Sequence, residues 1–198
     1  MRKILLAALA ILAALSFTGA HAETVEVAGI KFDTVETVAN TKLQLNGAGI
    51  RYKAIFKVYA AGLYLQNKAN TPEAILADKG PKRLHIVALR DIDGNDLGKL
   101  FTKGVEANAT REEFVKAING MLKISELFAN KKELKKNESF SVDFVPGVGT
   151  VVSVNGVVQG DPIKEPEFYG AFLHIWLGKN PPDSQLKEKL LGGGQKSN

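Results

Sequence analysis

The 198-residue chain has no cysteine, which excludes a disulfide framework, thiol catalysis and thiolate metal sites. Its formal net charge of +5 is dispersed. The densest basic cluster, Lys131, Lys132, Lys135 and Lys136, is interleaved with Glu133 and Glu138 and reads as a solvated helix end, so no nucleic-acid partner is predicted.

Arg2 and Lys3 precede an apolar stretch, Ile4 to Phe17, which ends in the small-residue sequence Ala20-His21-Ala22. This is the layout of a cleaved secretory signal over residues 1–22. The stretch is 14 residues long, short of the roughly 20 that span hydrocarbon. The mature chain is expected to begin at Glu23, in the periplasm or secreted. Once Arg2 and Lys3 leave, the formal charge falls from +5 to +3. No later segment reads as a membrane span. One domain is predicted over 23–192, followed by a flexible tail at 193–198.

Thr24 to Phe32 alternates apolar and polar residues around Gly29 and predicts a strand pair. Lys42–Leu45 predicts a strand, Asn46-Gly47-Ala48-Gly49 a turn, and Ile50–Leu65 one long strand or a tight pair. Pro72–Leu76 after Thr71 predicts a short capped helix, and Arg83–Arg90 a strand. Asp93–Asn108 carries Leu97, Leu100, Phe101 and Val105 at helical spacing. Thr110 with Glu113 is a capping-box pattern opening a second helix, with Phe114, Ile118, Met121, Leu122, Ile124, Leu127 and Phe128 as its apolar positions.

Ser139–Phe144 and Thr150–Val154 predict strands, and Asn155-Gly156 a hairpin turn answered by Val157-Val158. Pro166–Leu177 predicts an aromatic helix ending at Gly178, and Asp183–Leu191 a last helix after Asn180-Pro181-Pro182. Strands, helices, strands and helices in that order predict an α+β domain on a mainly antiparallel sheet with helices on one face.

Most catalytic chemistry finds no support. His21 leaves with the signal; His85 and His174 lack carboxylates at ligand spacing and read as packing residues, so no metal is predicted. Gly47-Ala48-Gly49 lacks the lysine and following helix of a phosphate loop, and no Gly-x-Ser-x-Gly occurs. No cofactor is predicted. Arg51 is the exception: a fixed cation opening an otherwise apolar strand, with Tyr52, Phe56, Tyr59 and Tyr64 close behind. A guanidinium beside apolar walls suits the head of an amphiphilic anion; the bland alternative is a surface arginine at a strand end.

The segment LNGAGIRYKAIFKVYAAGLYL, Leu45–Leu65, resembles the signature of the chalcone isomerase superfamily. The shared features are Gly47-Ala48-Gly49-Ile50-Arg51, Phe56-Lys57 and Gly62-Leu63-Tyr64-Leu65. The likeness continues through the helix ending at Asn108 and the Trp176-Leu177-Gly178 helix end, and is nearest to the exported bacterial chalcone isomerase-like branch. It implies an open-faced β-sandwich, a large antiparallel sheet with a helical layer and a cleft between them. It places the family's arginine on Arg51 and its asparagine on Asn108. The strand threonine falls on Tyr59, the helix tyrosine on Phe101 and the late Thr/Ser on Ile175. Three polar partners are thus altered. Losing one such donor costs on the order of 2.7–4 kcal/mol of transition-state stabilisation.

The resemblance and its departures therefore imply a protein that binds a small apolar or amphiphilic anionic ligand, fatty-acid-like, without efficient chalcone isomerase activity, with Arg51 as anchor and Tyr59, Phe101, Asn108 and Ile175 lining the cleft; whether it is an enzyme is left open. Arg51 is also the one strong catalytic candidate. The alternatives are an isomerase (intramolecular lyase) acting on a chalcone-like enone, and a non-catalytic module for a protein partner.

Overall fold

The computed structural model describes residues 23–193. The predicted signal peptide, 1–22, and residues 194–198 of the predicted tail lie outside the described residues. The chain opens with a separate two-stranded hairpin, β1 (Thr24–Val27) and β2 (Ile30–Asp33), turning at Ala28 and Gly29, both at positive φ. β3 (Val35–Val38), β4 (Thr41–Lys53) and β5 (Phe56–Leu65) follow. Next come α1 (Pro72–Ala77), β6 (Lys82–Ala88), β7 (Ile92–Asp93), α2 (Gly94–Asn108) and α3 (Arg111–Lys131). β8 (Glu133–Leu134), β9 (Ser139–Val145), β10 (Gly149–Val154), β11 (Val157–Val158), α4 (Phe168–Leu177) and α5 (Ser184–Leu190) complete the described chain.

Seven strands form one antiparallel sheet in the order β11-β10-β9-β6-β5-β4-β3. Side chains alternate between its faces. Tyr59, Ala61, Leu63 and Leu65 of β5 join the helix-side core with Leu84, Ile86, Phe140 and Val142. Ala60 and Tyr64 face the other way, where Phe32 of the first hairpin covers them. This is the α+β, chalcone isomerase-type architecture that the sequence predicted.

Helix α4 runs through the centre of the helical layer. Eight of its ten residues are buried, including Phe168, Phe172 and Trp176; a helix apolar on nearly every side belongs inside a core. Its aromatic rings meet Phe101 of α2, which also packs on Phe128 and Phe140 with centroids 5.7 Å away. The capping box on α3 forms as expected: Thr110 accepts from the Glu113 N–H, and Glu113 accepts from the Thr110 N–H.

Three local expectations are corrected. Asn46–Gly49 is not a turn but the middle of β4, which bulges at Asn46. The Asn46 side chain is buried there; its amide donates to the carbonyls of Ala69 and Leu190 and accepts from the Ala69 N–H. The tight-pair reading of Ile50–Leu65 holds, with the reversal at Ala54-Ile55, Ala54 at φ 54 and no glycine or asparagine to mark it, so Arg51 lies near the end of a strand and does not open one. On α3 the buried positions are Ala117, Gly120, Met121, Ile124 and Phe128, while Ile118 and Leu122 are exposed, as is Leu100 on α2.

Candidate functional site around Arg51

Arg51 sits near the end of β4 with Tyr59 of β5 as its cross-strand partner, so both side chains share the helix-facing side. Two glycines precede it on that same face, and helix α5 occupies the space that they leave open. A Cβ on Gly47 would lie 1.9 Å from the Lys189 carbonyl oxygen, and one on Gly49 would lie 2.7 Å from the Lys189 Cβ. The Gly-Ala-Gly sequence is therefore the seat of a helix, not a phosphate cradle.

α5 delivers Asp183 to the site. Its Oδ1 caps the helix by accepting from the Gln185 and Leu186 N–H groups, at 3.0 and 3.1 Å. Its Oδ2 accepts from the Tyr52 N–H at 2.8 Å and lies 3.9 Å from Arg51 Nη1. The carboxylate thus spends its lone pairs on backbone donors. It neutralises the guanidinium at long range and does not engage it in a short bidentate pair. Among the described residues, Arg51 makes no side-chain hydrogen bond; its side chain is 18% exposed.

Tyr59 is buried, and its Oη accepts from Trp176 Nε1 at 2.8 Å. Burial pushes the phenol up to about 12, with the Trp176 hydrogen bond and the Arg51 charge pulling the other way. At neutral pH it is a protonated hydroxyl, able to donate and unfit as a base. Trp176 in turn packs against Phe101, with centroids 6.0 Å apart and the rings tilted by 57°. Ile175 is buried against Gly104 of α2, where an added Cβ would lie 2.8 Å from Ile175 Cγ2. Asn108 closes α2: its Nδ2 donates to the carbonyls of Gly104 and Asn180, and its Oδ1 accepts from the Asn180 N–H at 2.6 Å.

The five residues singled out in the sequence thus form a connected wall. Arg51 neighbours Tyr59, Tyr59 bonds Trp176, Trp176 touches Phe101, Ile175 packs α4 on α2, and Asn108 ties the end of α2 to Asn180 beyond α4. Phe101 and Ile175 are packing residues within it, each about 3% exposed. Two participants were not identified from sequence. Trp176 was noted only as part of a helix end, and Asp183 only as the start of a helix. An Asx residue after Pro-Pro is a readable cap signal, but its charge contact with Arg51 is long-range.

The two remaining histidines are separate from this wall. His85 lies on the opposite sheet face, its Nδ1 2.8 Å from Ser141 Oγ and its ring edge-on to Phe32. His174 is on α4, with a buried Nδ1 that has no partner among the described residues. No group of three His, Cys, Asp or Glu side chains suited to a metal ion occurs among the described residues.

Residues 24–192 match the family model described as chalcone isomerase-like. No curated protein matches the chain. Among solved structures, the fold is similar to that of a fatty-acid binding protein of Arabidopsis thaliana, with a TM-score of 0.66 and 18% identity, covering 85% of this chain and 96% of that one. With the family model spanning almost the whole described region, the chain belongs to the chalcone isomerase-like family.

Proposed function

We propose that this protein is exported, to the periplasm or beyond, and there binds a fatty-acid-like amphiphilic anion whose head group Arg51 receives. One observation carries the reading. Arg51 is a partly buried cation, its side chain 18% exposed, whose N–H groups have no hydrogen-bond acceptor among the described residues, because Asp183 is already held by three backbone donors. Desolvated donors left unfilled favour an incoming acceptor. Tyr59, Phe101 and Ile175 are core packing behind the guanidinium, so the reading rests on the head group, and a hydrocarbon tail would need these side chains to move apart. The Arabidopsis protein of similar fold is named for fatty-acid binding, which agrees in chemical class.

The same residues argue against efficient isomerase chemistry on a chalcone-like enone. Phe101 and Ile175 offer no hydroxyl to hold a water or share enolate charge, which leaves the buried Tyr59 hydroxyl as the one phenolic donor beside Arg51. The decisive test compares lipophilic molecules extracted from the purified mature protein with those from Arg51→Ala. Fatty acids are expected with the first and depleted from the second. An equal haul from both would refute the anchor, and ring closure of a chalcone accelerated by the first but not the second would restore the isomerase reading.

A further inference from the structure

The turn between β4 and β5 has an unusual composition. Lys53 pairs with Phe56, so Ala54 and Ile55 form a two-residue loop, with Ala54 at φ 54. Glycine, asparagine or aspartate normally fills a positive-φ position in such a loop. Here the tip reads Ala-Ile-Phe instead. Ile55 is 83% exposed, the highest value of any large apolar residue among the described ones, and Phe56 is 58% exposed. Phe56 is the one exposed phenylalanine among the described residues; the others are buried or half-buried. Neither side chain belongs to the core on either face of the sheet.

Cations collar this tip. Lys53 and Lys57 flank it, and both are exposed. Arg90, beyond the end of β6, holds its guanidinium 5.7 Å from the centre of the Phe56 ring. A groove of about 810 Å³ lies between the hairpin and the α4–α5 connection, lined by Ala54 and Ile55 and by Lys179, Pro181 and Pro182. Lys53, Lys57, Arg90 and Lys179 form no salt bridge among the described residues. The acids beside the collar are Asp91, which accepts from the Lys136 N–H, and Asp183, which faces Arg51, so positive charge stays in surplus.

An apolar tip ringed by positive charge suits a surface that is itself apolar within and anionic at its edge. The apolar side chains gain by leaving water for the acyl boundary of a bilayer, while lysine and arginine keep their heads among anionic lipid headgroups. An apolar protein face would use the tip and gain nothing from the collar. The tip also adjoins the candidate ligand site, because Arg51 lies just before it in β4 and Asp183 lines the same groove.

We propose that the β4–β5 tip docks on an anionic lipid bilayer, with Ile55 and Phe56 entering the acyl boundary and Lys53, Lys57, Arg90 and Lys179 at the headgroups. Docking stands apart from whether Arg51 holds a ligand. The test is sedimentation of the chain from Glu23 with vesicles of phosphatidylcholine and phosphatidylglycerol in equal parts, and with vesicles of phosphatidylcholine alone. Substitutions at the exposed tip leave the core intact, so the variants fold.

The wild type is expected to sediment with the mixed vesicles, less so as salt is added. Ile55→Ser and Phe56→Ser each weaken that binding by about tenfold, and Lys53→Gln combined with Lys57→Gln does so by about the same factor. Leu122→Ser, which removes an apolar side chain 63% exposed on α3, leaves it unchanged. Arg51→Ala leaves it unchanged too, while losing its fatty acid as the Arg51 reading requires. In Phe56→Trp the added indole emission shifts to the blue on mixed vesicles. Docking is overturned if the wild type stays in solution with mixed vesicles, if the tip variants bind as the wild type does, or if phosphatidylcholine alone binds equally well. Loss of vesicle binding from Arg51→Ala alone would overturn docking and leave the Arg51 reading standing, since the lipid would then be held in the ligand site. A lipid-free dimer that Phe56→Ser turns into a monomer in ultracentrifugation would assign the tip to a second copy of the chain and overturn the bilayer.

Discussion

Asp183 separates two roles that one substitution can distinguish. Its charge faces Arg51 at 3.9 Å, and its oxygens cap α5 and hold the Tyr52 N–H. Asp183→Asn keeps an acceptor for the cap and deletes the charge. If Arg51 is the anchor, a fatty acid then meets an uncompensated guanidinium and binds several-fold tighter, as read by fluorescence titration of the chain's single tryptophan, Trp176. Unchanged affinity would place the anion elsewhere. Tyr59→Phe tests the neighbouring contact. It strands a buried indole N–H and should cost about 1–3 kcal/mol in urea unfolding. Arg51 stood out in the sequence as a cation among apolar and aromatic residues, although it lies near the end of β4 and does not open a strand. Asp183 was not legible as its partner, because no local spacing ties the start of α5 to the end of β4.

At the scale of elements, α5 is held to the sheet by backbone fit. Gly47 and Gly49 remove the side chains that would stand between β4 and α5, and Asn46 binds the Leu190 carbonyl at the far end of the helix. Gly47→Ala should therefore destabilise the fold by about 1–3 kcal/mol through overpacking, or detach α5. Urea unfolding, with hydrogen exchange over Leu186–Leu190, distinguishes these outcomes. Wild-type stability and protection together would show that the seat is loose. The same stretch explains the misplaced turn. Glycine and asparagine in a row signal a reversal by backbone freedom, but here they serve a bulge and a close approach. The true reversal at Ala54-Ile55 carries no such residues. Helix boundaries fared better, since Thr110, Glu113 and Gly178 act locally. The exposed Ile118 and Leu122 show that apolar spacing marks a helix without fixing which side is buried.

Across the whole molecule the sheet carries different chemistry on its two faces. The helix side is almost wholly apolar and aromatic. The side under the first hairpin holds Arg83 between Glu36 and Asp143, with Tyr64 and His85 close by. None of this network was legible from the sequence, because it depends on register across β4, β5, β6 and β9. Its consequence is a stability that depends on pH. Burial holds His85 below its ordinary value; Glu36 pulls upward, Arg83 downward and Asp143 upward, and burial wins. The unfolded chain takes up the proton near pH 6.5, before the folded one does. The stabilising effect of neutral His85 is therefore complete above about pH 6.5 and is lost as pH falls towards the lower folded value, by at most about 1.4 kcal/mol per pH unit. Urea midpoints measured from pH 7.5 down to pH 5 should fall for the wild type and stay flatter for His85→Gln, which keeps a polar partner for Ser141 without the titration. Parallel curves would mean that the network beneath the hairpin accepts the extra charge without cost.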